Sequence, residues 1–506
     1  MAFFRRQKQY IPFHADLKTP LLKIGRDLFR LDDAARGVLV TGGSGSGKTS
    51  GSGKALAMAY LKAGMGGLVL CAKVDEARTW RGYAEAAGRA DDVIEINASS
   101  EARFNFLDYA LATVAKPRFE HNLLAVMDSV IEAVGASGGE GGENQFFYTN
   151  AREMVSHVLP ILVAVYGRLR MRDIVAFIDH AATTQEQLDN PEWCADSYTA
   201  RTLAAASLLI EEDEDLAIHC EYWFTRFLNW SDRTRSSVVS TFTSTVYEFL
   251  TGAMNRMFCT DTTFVPEMSH HGAILIVNLP VKEYGKMGEA MQKIIKFLWQ
   301  LSVEARVPPS QTWWQRMTVP EPPIRPVFLF ADECQFFVTE RDDDFFSTAR
   351  SARACGVYMT QDLPSFYSRL PKDGEHGADA LIGKFQTRVI HGNLNAPTNE
   401  AAAKLIGHVA KQQLSQQQNA NQNRGEGGAY QPHDVAQSDN SGRGISSSTT
   451  ISTYRDYAVP PEYFTNQLRN GTRENRFKVD AIMVTTGRTW RHSRMNFTKA
   501  AFDQRK

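Results

Sequence analysis

Residues 42–49 read Gly-Gly-Ser-Gly-Ser-Gly-Lys-Thr, a loop of the form G-x-x-x-x-G-K-[ST]. It follows an apolar run, Gly37-Val-Leu-Val-Thr41, that reads as a short buried strand, and it precedes Ser52–Leu61, which reads as a helix. Strand, glycine loop and helix together form the setting in which such a loop cradles phosphates. Glycines let backbone N–H groups turn inward, and the helix N-terminus favours negative charge. The expected nucleotide-binding set is Gly42, Gly43, Ser44, Gly45, Ser46, Gly47, Lys48, Thr49 and Ser50, with Lys48 at the β/γ oxygens and Thr49 offering its hydroxyl to Mg²⁺. The Gly53-Lys54 that follows lacks the pattern, since Ala55 replaces the hydroxyl residue.

This motif requires an α/β sheet, and the chain alternates accordingly. Gly67–Cys71 and Asp92–Asn97 read as further strands separated by helix, giving the βαβαβ order of a parallel sheet. From about Leu107 to Met257 helical spacing replaces strand-like runs, with expected helices at Leu123–Val134, Ala151–Arg168, Met171–Ala182, Tyr198–Glu211, Leu216–Trp230 and Arg235–Phe258. Strands resume at Ala273–Asn278, Val327–Ala331, Val357–Thr360 and Thr387–Ile390, with a long helix at Gly288–Arg306. The fold class expected is α/β: a mainly parallel sheet carrying the phosphate loop, interrupted by an inserted all-α domain.

The expected division is 1–106 for an N-terminal segment and the first half of the nucleotide-binding domain, 107–258 for the all-α insertion, and 259–410 for the second half. Residues 411–452 are rich in Gln, Asn, Ser and Gly and read as a disordered or weakly ordered polar loop, because so little apolar surface cannot offset ordering entropy. Residues 453–506 would then complete the motor domain, with a capping helix near Ala458–Leu468 and a strand at Val479–Thr485. The first 36 residues read as a β-rich or extended lead-in.

A net charge of −1 over 506 residues gives no bulk attraction to nucleic acid or membrane, so DNA contact would need a local basic surface or a pore formed on assembly. The six cysteines are scattered without a C-x-x-C pair, which suits reduced thiols in a cytoplasmic protein. The longest apolar stretch, Met154–Tyr166, holds Ser156, His157 and Pro160 and falls short of the ~20 residues a spanning helix needs. No Cys/His metal spacing and no nucleophile elbow occurs, and His270-His271 reads as a turn.

A second chemical segment is Val327-Phe-Leu-Phe-Ala-Asp332-Glu333. A buried strand ending in two acids suits a Walker B role, with Asp332 on Mg²⁺ and Glu333 taking a proton from the attacking water. Gln361 follows the next strand at the sheet edge where ligands of open α/β folds sit, and can orient that water. Arg353 and Arg350, on an expected helix just before Gly356, are candidates for an arginine supplied across a subunit interface to the transferring phosphate.

With these motifs in hand, the chain resembles the type IV secretion coupling proteins, the TraG/TraD type of conjugative ATPase within the HerA–FtsK superfamily, from about residue 35 to about residue 490. Phe104-Asn105-Phe106-Leu107 is similar to the family's Asn-Pro-Leu before its helical domain, and Phe146–Ala151 to its aromatic-to-alanine helix start. Arg353-Ala-Cys-Gly356-Val357, Leu381–Arg388, Leu405-Ile-Gly407 and Val459–Phe464 resemble later family segments. The resemblance implies a RecA-like P-loop motor domain with an inserted all-α domain, in a homo-hexamer that binds ATP and Mg²⁺, moves DNA, receives a relaxase or other secreted protein substrate, and meets a membrane-anchoring or secretion-channel partner. Two departures stand out: the N-terminal membrane helices are not seen, and the family's Asp-Pro-Lys-Gly-Glu is here Cys71-Ala-Lys-Val-Asp75, retaining Lys73 and an acid near Asp75.

The expected function is therefore an ATP-driven DNA translocase or coupling ATPase for conjugative transfer, cytoplasmic and brought to the inner membrane by a partner. Lys73, Arg78, Arg81, residues of the helical domain and the Arg488–Arg494 stretch are candidates for DNA phosphates. Two alternatives stay open: a soluble HerA-type motor serving a nuclease in repair or defence, and an ATP-switched module that recruits proteins.

Overall fold

The computed structural model of the chain describes residues 12–113, 126–127, 142–211, 213–306, 323–369, 374–421 and 444–505. In chain order the strands are β1 (Pro20–Ile24), β2 (Asp27–Arg30), β3 (Val38–Thr41), β4 (Gly66–Leu70), β5 (Val93–Ile96), β6 (Ile274–Val277), β7 (Val327–Ala331), β8 (Ala354–Thr360), β9 (Thr387–Ile390), β10 (His408–Asn421), β11 (Gly444–Tyr457), β12 (Lys478–Thr485) and β13 (Phe497–Asp503).

Nine of them form one sheet in the order β13-β12-β9-β3-β8-β7-β4-β6-β5. From β9 to β5 every pairing is parallel, while β12 and β13 close the β9 side in antiparallel register. Every residue of β3, β4, β6, β7 and β8 is buried. This is why these strands read as unbroken apolar runs rather than alternating ones. Successive side chains still point to opposite faces. Val38, Val40, Ile276, Phe328 and Phe330 pack under the helices Lys54–Lys62 and Glu76–Ala86. Leu39, Leu68, Leu275 and Leu329 face the helix Val281–Ala305 and the helical region beyond.

That helical region leaves the sheet after β5 and returns at β6, its immediate neighbour, with Val93 opposite Ile274. The outgoing and returning chains are stitched together: Phe104 N–H donates to Met257 O at 2.7 Å and Thr263 N–H to Arg103 O at 2.8 Å. Asn105, buried at the junction, caps both sides by donating to Asp108 Oδ2 at 2.8 Å and to Thr260 O at 3.3 Å. The described helices include Gly142–Tyr166, Met171–Asp179, Tyr198–Ser207, Glu214–Tyr222, Asp232–Val246 and Gly252–Phe258. No helix among the described residues is long and apolar enough to cross a membrane.

Several local expectations change. The single helix expected over Arg235–Phe258 is two helices, because Thr251 is extended and Gly252 takes φ +65°. The helix expected at Leu216–Trp230 ends at Tyr222 and continues as a π-turn over Trp223–Phe227. The long helix begins at Val281 rather than Gly288, with a break at Gly285, where φ is 55° and ψ −139°. The helix expected at Leu123–Val134 and the glycine loop after it lie largely outside the described residues. The lead-in is a β1–β2 hairpin, and the C-terminal part carries a second strand, β13.

Within the polar stretch 411–452, residues 422–443 lie outside the described residues, and the two flanks depart most. Residues expected to be a weakly ordered loop instead pair as a long antiparallel ladder, with His408 opposite Tyr457 and Asn421 opposite Gly444. Its base is held by His408 stacked on Tyr457 at 4.4 Å, Lys411 paired with Asp456 at 2.8 Å, and Ala458 N–H donating to Gly407 O at 3.0 Å. A two-stranded ladder satisfies backbone groups across its own width without a core. Its Thr, Ile and Tyr residues favour extended backbone, with Leu414 directly opposite Ile451.

Candidate nucleotide site

β3 delivers the chain into the glycine loop, which turns through Gly45 at φ +73° and Gly47 at φ +85°. Gly47 is constrained twice: a side chain would be strained at this φ, and its Cβ would lie 2.5 Å from Val479 Cγ2 on β12. The helix then opens as a π-turn over Thr49–Gly53, with Gly51 N–H on Gly47 O at 2.7 Å, before becoming α-helical at Lys54. Ser46 Oγ is buried with no protein partner at the lip of this loop, where a phosphate oxygen would satisfy it.

The end of β7 faces the loop. Thr49 Oγ1 donates to Asp332 Oδ2 at 2.8 Å, joining positions 283 residues apart. That spacing suits a hard octahedral cation, whose 2.0–2.1 Å bonds place neighbouring oxygens about 2.9 Å apart. The hydroxyl and carboxylate are also the oxygen donors Mg²⁺ takes, so the residues fit the ion. Glu333 follows with φ +51°, a left-handed conformation uncommon outside glycine that turns its carboxylate back over the site. Its Oε1 lies 3.7 Å from Lys48 Nζ and accepts from Gln361 Nε2 at 3.2 Å, and its Oε2 accepts from Gln335 at 2.9 Å. Lys48, Thr49, Asp332, Glu333 and Gln361 are thus brought together. Gly42 N–H donates to Gln361 O at 3.3 Å, which ties the glutamine's backbone to the start of the loop.

Lys73, considered above for DNA, points here instead. Its ammonium lies 2.9 Å from Glu333 Oε1 and 3.5 Å from Asp332 Oδ2. Burial raises the Glu333 pKa, but hydrogen bonds from Gln335 and Lys73 and the charges of Lys48 and Lys73 outweigh it and bring the group down to about 2. The acid that reaches the site from the Cys71–Asp75 segment is Glu76, which is buried, whereas Asp75 is exposed. Glu76 Oε2 accepts from Ala72 N–H at 2.7 Å. Burial, with the Asp332 charge adding to it, pushes the Glu76 carboxyl up to about 8 despite Lys73. Of the other DNA candidates, Arg81 pairs with Glu95 at 3.0 Å and Arg488 with Asp33 at 2.9 Å.

Further supports escape sequence reasoning. His391, fully buried at the end of β9, sits directly behind the loop: its Nδ1–H donates to Asp480 O at 3.1 Å, so Nε2 accepts from Ser52 Oγ at 2.7 Å. Burial pushes this imidazole down to about 4, so it stays neutral. Gln292 accepts from Cys71 N–H at 2.8 Å and donates to Cys71 O at 3.0 Å, fixing the strand end that carries Lys73. Lys296 binds Asp342 at 2.6 Å and Phe337 O at 2.6 Å, pinning the turn after Glu333. Position at a strand's C-terminal end was the available signal for His391; the two helix residues carried none.

Arg350 and Arg353 do not join this cluster. Arg350 pairs with Asp32 at 2.7 Å, and Arg353, with φ +53°, precedes β8, where its carbonyl accepts from Val327 N–H at 3.0 Å. β8 runs parallel to β3, with Thr360 beside Thr41, so Arg353 stands at the opposite sheet edge, ~23 Å away at 3.3 Å per residue. The six cysteines are free thiols.

Residues 4–309 match the family model described as type IV secretory system conjugative DNA transfer. The chain belongs to that family. Residues 326–454 of this coupling protein match a second model, the TraM recognition site of TraD and TraG, which marks it as TraG/TraD-type. Among solved structures, the coupling protein is similar to the conjugative coupling protein TrwB in an unbound form, with 15% identity, 97% of this chain and 90% of that chain covered, and a TM-score of 0.57. TrwB with ADP and Mg²⁺ gives the same four values, and TrwB with the GTP analogue GDPNP gives 16%, 97%, 92% and 0.56. The fold is accordingly the RecA-like P-loop motor with an all-α domain. Among curated proteins, none matches the coupling protein by sequence.

Proposed function

We propose that this coupling protein is an ATP-hydrolysing motor that moves DNA in conjugative transfer. The observation that carries the proposal is the 2.8 Å contact between Thr49 and Asp332, which folds the two motifs around one site. The loop N–H groups and Lys48 bind the triphosphate, and Thr49 and Asp332 hold Mg²⁺. When bound there, the ion would supply charge neutralisation on the triphosphate. Glu333 accepts the proton of the attacking water, and Gln361, 3.2 Å from Glu333, orients it. For this, Lys73 must release Oε1, since a carboxylate held at about 2 is a poor base.

Arg353, with Arg350 beside it, stands at the sheet edge remote from its own site. This supports a role on the nucleotide of the next subunit in a homo-hexamer, a geometry that excludes action in cis. DNA is the polymer moved, and a relaxase or other secreted protein travels with it. The work is done on the cytoplasmic side of the inner membrane, against a secretion-channel partner.

The test is Mg²⁺-dependent ATP hydrolysis with and without DNA. Glu333→Gln should bind ATP while turnover falls 10²–10⁴-fold, and Lys48→Ala should lose binding. Native turnover in Glu333→Gln would defeat the catalytic assignment.

A further inference from the structure

The C-terminal hairpin does more than complete the sheet. Its open end, where β12 begins and β13 finishes, is fastened to the first helical turn after the glycine loop. Gln504 Nε2 donates to Ser50 Oγ at 2.6 Å, and Lys54 Nζ donates to Gln504 O at 3.0 Å. Ser50 and Lys54 are one helical turn apart and share a face. Because Ser50 Oγ accepts from Gln504, its own proton is directed outward to another acceptor.

Beside Gln504 lies Phe477, joined to it by Gln504 N–H on Phe477 O at 3.1 Å. Phe477 is 37% exposed, a large apolar side chain partly open to solvent. The Arg505 guanidinium lies over its ring at 5.4 Å from the centroid. Arg476 and Phe477 take φ +55° and +57°, two adjacent left-handed residues among only five non-glycine ones in the described chain. A bulky residue rarely adopts this conformation, and such outliers concentrate at ligand clamps. Here it holds an aromatic face out of the core, next to the loop.

We propose that Phe477, Arg505 and Gln504 form the nucleoside subsite of the nucleotide site. This rests on the nucleotide-binding reading above. Lys48 and Thr49 take the β/γ end of the triphosphate, so the chain past Thr49 meets the α-phosphate, and Ser50 directs its hydroxyl there. The nucleoside attached to that phosphate then runs across the Ser50–Lys54 face to the hairpin end. The Phe477 ring supplies a stacking shelf for the base, and Arg505 adds a cation over the same π-system. Gln504 is a positioning residue that ties shelf to loop.

The test compares equilibrium binding of ATP with that of inorganic tripolyphosphate, both with Mg²⁺, measured calorimetrically on the full chain. Phe477→Ala should weaken ATP about tenfold and leave tripolyphosphate unchanged, because only ATP carries a base to stack. Phe477→Trp should restore ATP binding, which a merely misfolded loop would not allow. Equal weakening of both ligands in Phe477→Ala, or no weakening of either, overturns the subsite. If the unaltered chain binds neither ligand, the phosphate-loop reading itself fails, and the subsite with it.

Discussion

At the scale of single residues, the site is governed by which charges face one another. Lys73 neutralises Asp332 and Glu333 at 3.5 and 2.9 Å and holds the Glu333 carboxyl down, so Lys73→Ala should raise the Glu333 pKa and move the acidic limb of the turnover–pH profile to higher pH. The same variant should leave the slope of log DNA affinity against log salt unchanged, whereas a lysine on a DNA phosphate would reduce it by about 1. Glu76 gives a stability prediction with a definite sign. Its carboxyl is raised from 4.5 to about 8, so between those values the folded chain binds more protons than the unfolded one. The stabilisation is fully present below 4.5 and lost as pH rises through about 8. Glu76→Gln should flatten that fall, gaining on the order of a few kcal/mol on the native chain near pH 9 relative to pH 5, as read from denaturation midpoints. The meeting of Lys48, Thr49, Asp332 and Glu333 was legible in the sequence, because each lies in a contiguous motif whose chemistry demands the other. Lys73, Glu76 and His391 were misread or missed, since their roles depend on side-chain direction across the sheet edge, which spacing alone does not encode.

At the scale of elements, the helix Val281–Ala305 links the end of the helical region to both walls of the site. It grips Cys71 through Gln292 and the turn after Glu333 through Lys296. Lys296 and Asp342 are both fully buried, and removing one partner would leave the other charge without compensation. Lys296→Met should therefore cost ~3–5 kcal/mol and lower the thermal midpoint, while Lys296→Met with Asp342→Leu should recover much of that loss. β7, whose apolar pattern is continuous, was legible to the residue, and so was the mixed Thr-Arg-Val-Ile run of β9. The β10–β11 ladder was not: its order comes from cross-strand backbone pairing, and composition reports only the absence of a core.

At the scale of the whole molecule, one chain does not assemble the complete hydrolytic site that we propose. Arg353 lies at the far edge of the sheet from Glu333, so the charge it would supply must come from a neighbour. ATP turnover per subunit should rise steeply with protein concentration through the assembly range, and Arg353→Ala should cut it 10³–10⁵-fold without weakening ATP binding. A turnover independent of concentration would sink the shared site.

The order of strands in the central sheet also bears on how the protein is made. The strand that launches the phosphate loop, β3, is flanked by β8 and β9, whose residues 354–360 and 387–390 are translated far later. At 5–20 residues per second, the ribosome needs about 15–70 s to supply both neighbours. Through that interval a Val-Leu-Val segment has neither edge covered. The nascent chain should thus be a client of ribosome-associated chaperones, and one whose dependence on them deepens when synthesis is slowed before β9 has emerged but not when it is slowed afterwards.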